Sequence, residues 1–166
     1  MARAALGLGS NLGDRRARLS AAVRRLRDAG PIVAVSSLYE TAPVGGPAQG
    51  SYLNAVVVVD TALAPRGLLE LCQAAEQEAG RRHRVRWGPR SLDVDLLLYE
   101  GTVVDERGLR VPHPRLTVRR FALEPLVEAW PEAVLPGGEP AASLLPSVAG
   151  QEAQVVGGPG WWEEPG

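Results

Sequence analysis

Apolar residues recur along the chain with two different periods, and these periods predict where strands and helices lie. Four runs of alternating or continuous apolar residues predict strands, since neighbouring side chains of a strand point to opposite faces. These runs lie at residues 3–8, 32–40, 52–60 and 93–99. Helical spacing, with apolar residues about every three or four positions, relates two further sets. They are Leu12, Leu19, Val23 and Leu26, and Leu68, Cys72, Ala75 and Ala79.

Residues that favour the start or the end of a helix separate these segments. Ala29-Gly30-Pro31 ends the first helix, while Pro65 starts the second and Gly80 stands just past its end, as their backbone preferences favour. The second helix is expected to place Gln73 and Glu76 on a face other than its apolar stripe. The order strand–helix–strand–strand–helix–strand predicts the α+β class, with a ferredoxin-like βαββαβ sandwich.

The part of the chain beyond the fourth strand is predicted to add smaller elements. A small hairpin is expected over residues 102–111, and a helical segment near 117–123 that continues unevenly past Pro125. From residue 137 onward glycine and proline supply 11 of 30 residues. We therefore expect a single domain over 1–136 and an irregular C-terminal tail over 137–166, whose Trp161-Trp162 pair is assigned no function.

Two connections are longer than ordinary turns, which most often have about two to six residues. One runs from Thr41 to Ser51 and is rich in glycine and proline. The other runs from Gly80 to Leu92 and contains five arginines within ten residues. Because five close like charges repel one another, this loop requires solvent or a polyanion beside it. We expect both connections to be mobile without ligand and to close over bound substrates.

Composition narrows the possible functions. The chain has 166 residues, which suits one domain, and its net charge of −1 gives no general attraction to nucleic acid. Its single cysteine excludes an intramolecular disulfide, and no apolar run approaches the roughly 20 residues that cross a membrane. All 18 basic residues are arginine, which excludes the phosphate-binding motifs that require lysine. We expect a monomeric cytoplasmic protein without a nucleic-acid or membrane partner.

Asp93 and Asp95 begin the fourth strand, with one valine between them. Alternation puts both carboxylates on one side, with Cα atoms roughly 7 Å apart, where they repel by about 2 kcal/mol at an effective dielectric near 20. A magnesium ion reverses that repulsion and commonly takes one or two carboxylates plus substrate phosphates. Together with the arginine loop, the pair favours a magnesium–polyphosphate site. The alternatives are a solvated arginine surface, a nucleic-acid patch, or aspartates paired with a neighbouring arginine.

Four groups of residues, taken in order along the chain, match a known pattern. They are Gly9-Ser10-Asn11, Tyr52-Leu53-Asn54, Arg86-Trp87-Gly88-Pro89-Arg90-Ser91-Leu92-Asp93-Val94-Asp95, and Val111-Pro112-His113 with Arg119 and Phe121. The pattern resembles that of the 6-hydroxymethyl-7,8-dihydropterin pyrophosphokinases and covers residues 4 to about 137. These folate-pathway enzymes move diphosphate from ATP to a pterin alcohol. The resemblance therefore implies ATP and 6-hydroxymethyl-7,8-dihydropterin as the substrates, and the same ferredoxin-like fold.

The resemblance also implies roles for individual residues. Two Mg²⁺ ions are expected on Asp93 and Asp95, with Arg81 and Arg90 as further catalytic residues. The residues expected to bind ATP are Gln73, Glu76, Trp87, Arg90, Leu96, His113 and Arg119. The residues expected to bind the pterin are Thr41, Val44, Tyr52, Asn54 and Phe121. The pterin hydroxyl is expected to attack the β-phosphorus of ATP, so that AMP leaves.

Some residues depart from the family pattern or also fit a structural role. His83 stands where arginine is common, Pro114 where an aromatic residue is expected, and Ala42 where proline is frequent. Without the resemblance, Phe121 fits a core residue of a helix. His113 likewise fits a turn residue between two prolines.

Two functions of other classes fit the predicted order of elements. An RNA-binding module would stack bases on aromatic residues of the central strands, where only Tyr39 and Tyr52 are available. A ligand-sensing regulatory domain would leave the arginine loop and the two aspartates unexplained. Asn54 likewise fits either an edge residue bonded to backbone or a donor–acceptor pair for a flat heterocycle.

Overall fold

The structure is a computed structural model that describes residues 1–41, 51–79 and 92–163. These described residues have a mixed α/β fold built on an antiparallel sheet and four α-helices. The strands are β1 (Ala2–Ser10), β2 (Ile32–Val35), β3 (Leu38–Thr41), β4 (Tyr52–Thr61), β5 (Asp93–Tyr99), β6 (Val104–Glu106), β7 (Leu109–Val111) and β8 (Gln154–Gly157). The helices are α1 (Arg15–Arg25), α2 (Pro65–Glu78), α3 (Arg120–Ala129) and α4 (Leu145–Val148). Short 3-10 helices lie at Leu26–Ala29, Leu116–Val118 and Ala141–Leu144.

Six of the strands form the main sheet. Five follow one another in the order β5-β1-β4-β3-β8, and β2 also pairs with β4. All of these pairings are antiparallel. β4 pairs with β1 from Thr61 opposite Ala2 to Leu53 opposite Ser10, and β6 and β7 form a separate hairpin, as predicted. None of the helices in the described ranges has the length and apolar character that a membrane span requires.

The valine run of β4 is buried on both faces of the sheet. Val57 and Val59 pack against α1 and α2, whereas Val56 and Val58 pack against α3. All four are at most 1% exposed. Because each buried aliphatic side chain of this size contributes roughly 1.5–3 kcal/mol, this stretch fixes the centre of the sheet. Polar residues flank this run, with Asn54 before it and Asp60 and Thr61 after it.

The first helix starts later than its apolar pattern predicts. Leu19, Val23 and Leu26 are fully buried, but Leu12 is 46% exposed and lies before the helix. The side chain of Asp14 accepts a hydrogen bond from Ala17 N at 3.1 Å. An aspartate in that position caps a helix N-terminus, so α1 begins immediately after it.

The strand predicted over 32–40 is two strands. Its ladder is interrupted at Ser36 and Ser37, where side chains supply the hydrogen bonds. Val56 N donates to Ser36 Oγ at 2.9 Å, and Ser37 N donates to the carboxylate of Glu128 at 3.0 Å. The apolar pattern of one segment does not contain these partners, because they belong to β4 and α3.

One helix prediction needs correction. Glu76 lies on the buried face of α2, is 9% exposed, and accepts a hydrogen bond from Val94 N at 2.8 Å. The helical segment expected near 117–123 is confirmed as a 3-10 turn followed by α3, which continues past Pro125. The strand β5 also has the predicted bounds.

The C-terminal tail is more regular than its glycine and proline content predicts. Between residues 137 and 163 it contains a 3-10 helix, α4 and β8, and β8 pairs with β3. Trp161 is 3% exposed, and its Nε1 donates to Ser36 O at 2.9 Å. The prediction of an irregular tail was wrong because its partners are distant: Ser36 and Trp161 are 125 residues apart.

Candidate active site

Two glycines of β1, the half-buried Gly7 and the buried Gly9, add no side chains to one end of the sheet on the face where α3 packs. Gly9 lies between Asn54 of β4 and Asp93 of β5, and Gly7 lies opposite Asp95. Strands are spaced about 4.8 Å apart, so about 10 Å separates the Cα atoms of Asn54 and Asp93. The result is a strip of backbone without side chains of its own, here called the glycine strip, between an amide and a carboxylate.

Close neighbours show how little room the glycine strip has for side chains. A Cβ on Gly9 would lie 3.2 Å from Asn54 Oδ1 and 3.6 Å from Tyr52 Cδ2. A Cβ on Gly7 would lie 3.1 Å from Leu97 Cδ1. Glycine inside a strand often marks a place where another group approaches the backbone. The strip therefore has the form of a floor for a flat ligand.

The two aspartates share the face of the glycine strip. Val94 and Leu96, which alternate with them, are buried against α1 and α2 on the opposite face. Asp93 is half-buried and Asp95 is exposed. Val94, the residue between the two aspartates, donates its N–H to Glu76 and so anchors the strand to α2. Both carboxylates therefore stand on a strand whose position α2 fixes.

This pair of aspartates fits magnesium that shares its ligands with substrate phosphates. Mg²⁺ prefers oxygen ligands and usually takes one or two carboxylates, with waters and phosphates completing its shell. Within residues 1–41, 51–79 and 92–163, no group of three or more His, Cys, Asp or Glu side chains could enclose a metal. The described residues thus offer a two-carboxylate site and not a closed protein cage.

Asn54 is buried and oriented by a hydrogen bond to the neighbouring strand. Its Nδ2 donates to Thr41 Oγ1 at 2.8 Å, and the residue is 5% exposed. Its Oδ1 faces Gly9, as the contact of a Cβ there shows. Tyr52, half-buried, lies on the same face of β4. The described structure therefore brings together three of the predicted pterin residues at the edge of the glycine strip.

Phe121 lies in the first turn of α3 and packs against the apolar cluster on this face of the sheet. The guanidinium carbon of Arg119 is 5.4 Å from its ring centroid. Burial and Arg115 lower the pKa of Arg119, and Asp95 partly opposes this change. Arg119 therefore lies within electrostatic range of the acidic end of the site.

Glu128 joins α3 to β3 beside the site. Its carboxylate accepts hydrogen bonds from Ser37 N at 3.0 Å, Ser37 Oγ at 2.6 Å and Tyr39 Oη at 2.7 Å. Burial, and then the Glu128 carboxylate, raises the pKa of Tyr39, so its hydroxyl remains a donor. Tyr39 is paired with Asn54. Since Phe121 lies about two turns before Glu128 on one helix, this contact fixes the body of the helix that carries Phe121 relative to β3.

A cavity of about 640 Å³ opens beside β5, between that strand and the β6–β7 hairpin. It is lined by residues 105–110 and by Leu69, Val94, Asp95, Leu96, His113 and Pro114. His113 N donates to Leu97 O at 2.8 Å, and His113 Nδ1 accepts from Arg115 N at 3.1 Å. Burial, with Arg119 and Arg115, lowers the pKa of His113. A neutral ring that accepts at Nδ1 carries its proton on Nε2.

The remaining predicted residues fall outside this arrangement. Gln73 is exposed on α2, one turn after Leu69 of the cavity wall. Glu76 is turned inward and bonded to β5, as described above. Several predicted positions lie outside the described residues, as do most of both long connections; they are Ala42, Val44, Arg81, His83, Trp87 and Arg90.

Known proteins resemble this chain over the part that carries the site. Residues 5–131 match the family model described as 7,8-dihydro-6-hydroxymethylpterin-pyrophosphokinase. The chain belongs to this family. The 2-amino-4-hydroxy-6-hydroxymethyldihydropteridine pyrophosphokinase of Methylorubrum extorquens is 47% identical over 148 residues, covering 87% of this chain and 92% of the relative. The Aquifex aeolicus protein of that name is 41% identical over 136 residues, covering 82% and 85%.

Solved structures share the fold of this pyrophosphokinase family member. Plasmodium falciparum wild-type HPPK-DHPS with STZ-DHP aligns with a TM-score of 0.68 at 17% identity, over 88% of this chain and 43% of that one. HPPK-DHPS in complex with substrates aligns with a TM-score of 0.70 at 14% identity, over 88% and 43%. The chain thus spans less than half of these longer proteins. The RNA-binding and ligand-sensing alternatives receive no support from these relatives.

Sequence motifs identified side chains that the structure gathers at the strip, but missed residues that act through the fold. Glu128 and its partners gave no signal, because an acid on an amphipathic helix is ordinary. The role of Gly7 and Gly9 had one available signal, since glycine in a strand interior is unfavourable without a reason. That signal does not say which residues lie opposite.

Proposed function

We propose that this chain transfers diphosphate from ATP to the hydroxyl of 6-hydroxymethyl-7,8-dihydropterin and releases AMP. One observation supports this most directly. Asn54, Gly9 and Asp93 form a continuous row across three strands, with Phe121 of α3 on the same face. The row offers the Asn54 amide to the edge of a flat heterocycle at one end, and at the other the Asp93 carboxylate to the Mg²⁺ that would bind the phosphates.

On the pterin side, the ring lies on the glycine strip and stacks on Phe121. Stacking of a flat ring on an aromatic side chain contributes about 1–3 kcal/mol by analogy with nucleobases. The Asn54 amide recognises the ring edge, and Thr41 fixes the orientation of that amide. Tyr52 borders the ring, and Val44, outside the described residues, is assigned here from the family resemblance alone.

On the phosphate side, Asp93 and Asp95 hold Mg²⁺. When bound there, Mg²⁺ supplies charge neutralisation for the phosphates. Arg119 adds a positive charge within electrostatic range of Asp95. We assign Arg81, Trp87 and Arg90 to the phosphates and the closing loop on the resemblance.

The nucleotide is assigned to the cavity beside β5. Leu96 and His113 line it, and the Nε2–H of neutral His113 is available as a donor to a phosphate oxygen. Glu76 does not line this cavity; it accepts the hydrogen bond from Val94 N and so fixes the strand that carries the two aspartates. Gln73 is assigned to the outer border of the same cavity.

The reaction forms a bond between the pterin oxygen and the β-phosphorus and breaks the bond from that phosphorus to the bridging oxygen of the α-phosphate. The hydroxyl proton is lost to solvent or a phosphate oxygen, and AMP leaves. Transfer of this kind asks a protein chiefly for alignment and charge neutralisation. A rigid sheet that holds both substrates along one row supplies the alignment.

The finer fold assignment belongs to the same proposal. In the order β5-β1-β4-β3, the first strand lies between the last and the third of the βαββαβ unit. This order, with β2 and β3 taken as one interrupted strand, supports a ferredoxin-like core to which β8 and the β6–β7 hairpin are added.

Product analysis tests the proposed function. The chain is incubated with ATP, Mg²⁺ and hydroxymethyl-dihydropterin, and nucleotides are separated by chromatography. We expect pterin-dependent AMP in wild type and almost none in Asp95→Asn. Asp28→Asn, which changes an exposed acid beyond α1, is the matched control and should keep full activity. Stoichiometric ADP, or AMP formed without the pterin, would contradict diphosphate transfer.

A further inference from the structure

One side chain of the C-terminal tail holds the backbone on both sides of Arg119. Gln151 Nε2 donates to Val118 O at 2.8 Å, and Arg120 N donates to Gln151 Oε1 at 2.9 Å. Arg119 itself is extended, with φ −123° and ψ 115°. A single amide that bonds the carbonyl before a residue and the N–H after it imitates one rung of a parallel strand pair. It thereby fixes the extended conformation of the residue between.

The same contact caps α3. Arg119 occupies the N-cap position and provides no side-chain cap, whereas the first N–H groups of a helix require acceptors from elsewhere. Gln151 supplies the acceptor for the first of them, from 31 residues away. The direction in which α3 starts therefore depends on the tail.

Arg120 fastens the tail segment in return. Its Nη1 donates to Gln151 O at 2.7 Å and to Ala149 O at 3.1 Å, while its Nε donates to Glu124 at 2.6 Å. Carbonyls of the tail and a carboxylate of the helix thus share one guanidinium. Gln151 is held in place by a contact that does not involve the site.

We propose that Gln151 is a positioning residue for the active site. By fixing the backbone of Arg119 and the start of α3, it directs Phe121 toward the glycine strip and Arg119 toward Asp95. Without the amide, the body of α3 stays packed on the sheet, but its first turn is no longer held in one direction. This inference rests on the proposed function, since it takes Phe121 as the platform for the pterin.

The first test compares Gln151→Ala with Glu152→Ala, which truncates the exposed neighbouring residue. Pterin affinity is measured by calorimetry in the presence of Mg²⁺ and a non-hydrolysable ATP analogue, at a temperature where melting curves show every variant folded. We expect Gln151→Ala to weaken pterin binding about two- to thirteenfold, the range equivalent to one neutral hydrogen bond. Glu152→Ala should bind as wild type does. Equal affinities in all three proteins would overturn the positioning role.

A second variant separates positioning from stability. Gln151→Glu keeps an acceptor for Arg120 N and puts a negative charge at the start of α3, which favours the helix, but it loses the donor to Val118 O. We expect a melting temperature at or above wild type together with weakened pterin binding. Unchanged pterin affinity in this variant would mean that Gln151 only stabilises the helix.

A double-mutant cycle with Phe121→Ala completes the experiment. If Gln151 acts through Phe121, adding Gln151→Ala to Phe121→Ala should change pterin affinity much less than it does in wild type. Fully additive losses would contradict action through Phe121. If wild type binds no pterin, the proposed function itself fails. If Phe121→Ala weakens binding while both Gln151 variants do not, only the positioning role is wrong.

Discussion

Gly9→Ala should separate the function of the sheet from its stability. The added methyl group would lie 3.2 Å from Asn54 Oδ1 and 3.6 Å from Tyr52 Cδ2. The first distance is tighter than nine in ten real contacts of this kind, so the Asn54 amide must shift by a few tenths of an ångström. Its hydrogen bond to Thr41 allows little freedom for that shift. The amide proposed to recognise the pterin edge is therefore displaced.

Two effects of Gly9→Ala on the free energy of unfolding have opposite signs. Glycine in a strand interior is less favourable than alanine by roughly 0.5–1 kcal/mol, which offsets the crowding, so the free energy of unfolding should change by no more than about 1 kcal/mol. Displacing one hydrogen-bonding amide should weaken pterin binding by about 0.5–1.5 kcal/mol, or roughly 2- to 13-fold. A methyl group that lifts the ring from the strip would add to this loss.

Gly67→Ala is the matched control, because its methyl group lies in α2, away from the glycine strip, and would meet only Leu63 at 3.7 Å. This variant should be at least as stable as wild type and bind pterin as well as wild type. Calorimetry for pterin affinity and urea unfolding for stability measure both quantities. Wild-type pterin affinity in Gly9→Ala, or the same behaviour in both variants, would refute the glycine strip as the pterin floor.

Three further predictions concern stability. Gly30→Ala should destabilise severely in urea, since φ is +144° there and a Cβ would lie 2.0 Å from Asp60 O; a loss under about 1 kcal/mol would contradict this. Gly67→Ala in α2 should raise stability by about 0.4–1 kcal/mol, because its Cβ meets only Leu63 at an ordinary 3.7 Å. Burial and two arginines lower the pKa of His113 below its ordinary 6.5, so the unfolded state binds more protons there. Stability should therefore fall as the pH drops below about 6.5, and His113→Asn should flatten that slope.

The sequence predicted the fold best where local pattern and tertiary environment agree. The valine run of β4 and the bounds of β5 could be predicted because their apolar residues are buried whichever strands lie beside them. The break at Ser36-Ser37 could not be predicted, because its hydrogen bonds come from β4 and from Glu128. Glu76 was misplaced for the same reason, since its burial depends on a backbone N–H of β5.

The candidate site shows the same division. Asp93, Asp95, Asn54 and Phe121 belong to motifs and were predicted. Their common face follows from strand register, which no single segment reveals. The positions that shape the site, Gly9 among them, act through neighbours on other strands, and those neighbours become visible only when the sheet is assembled.

The pairing of β8 with β3 has a consequence for how the protein is made. Contacts such as Ser36–Trp161 join residues 125 positions apart, and closing so long a loop is slow compared with forming local structure. During synthesis, this edge of β3 stays unpaired until residues 154–157 have been made. An open edge of this kind attracts other strands, so a chain interrupted before Gln154 should aggregate more readily than one that contains β8, although the rows that carry Asn54 and Asp93 would already be paired.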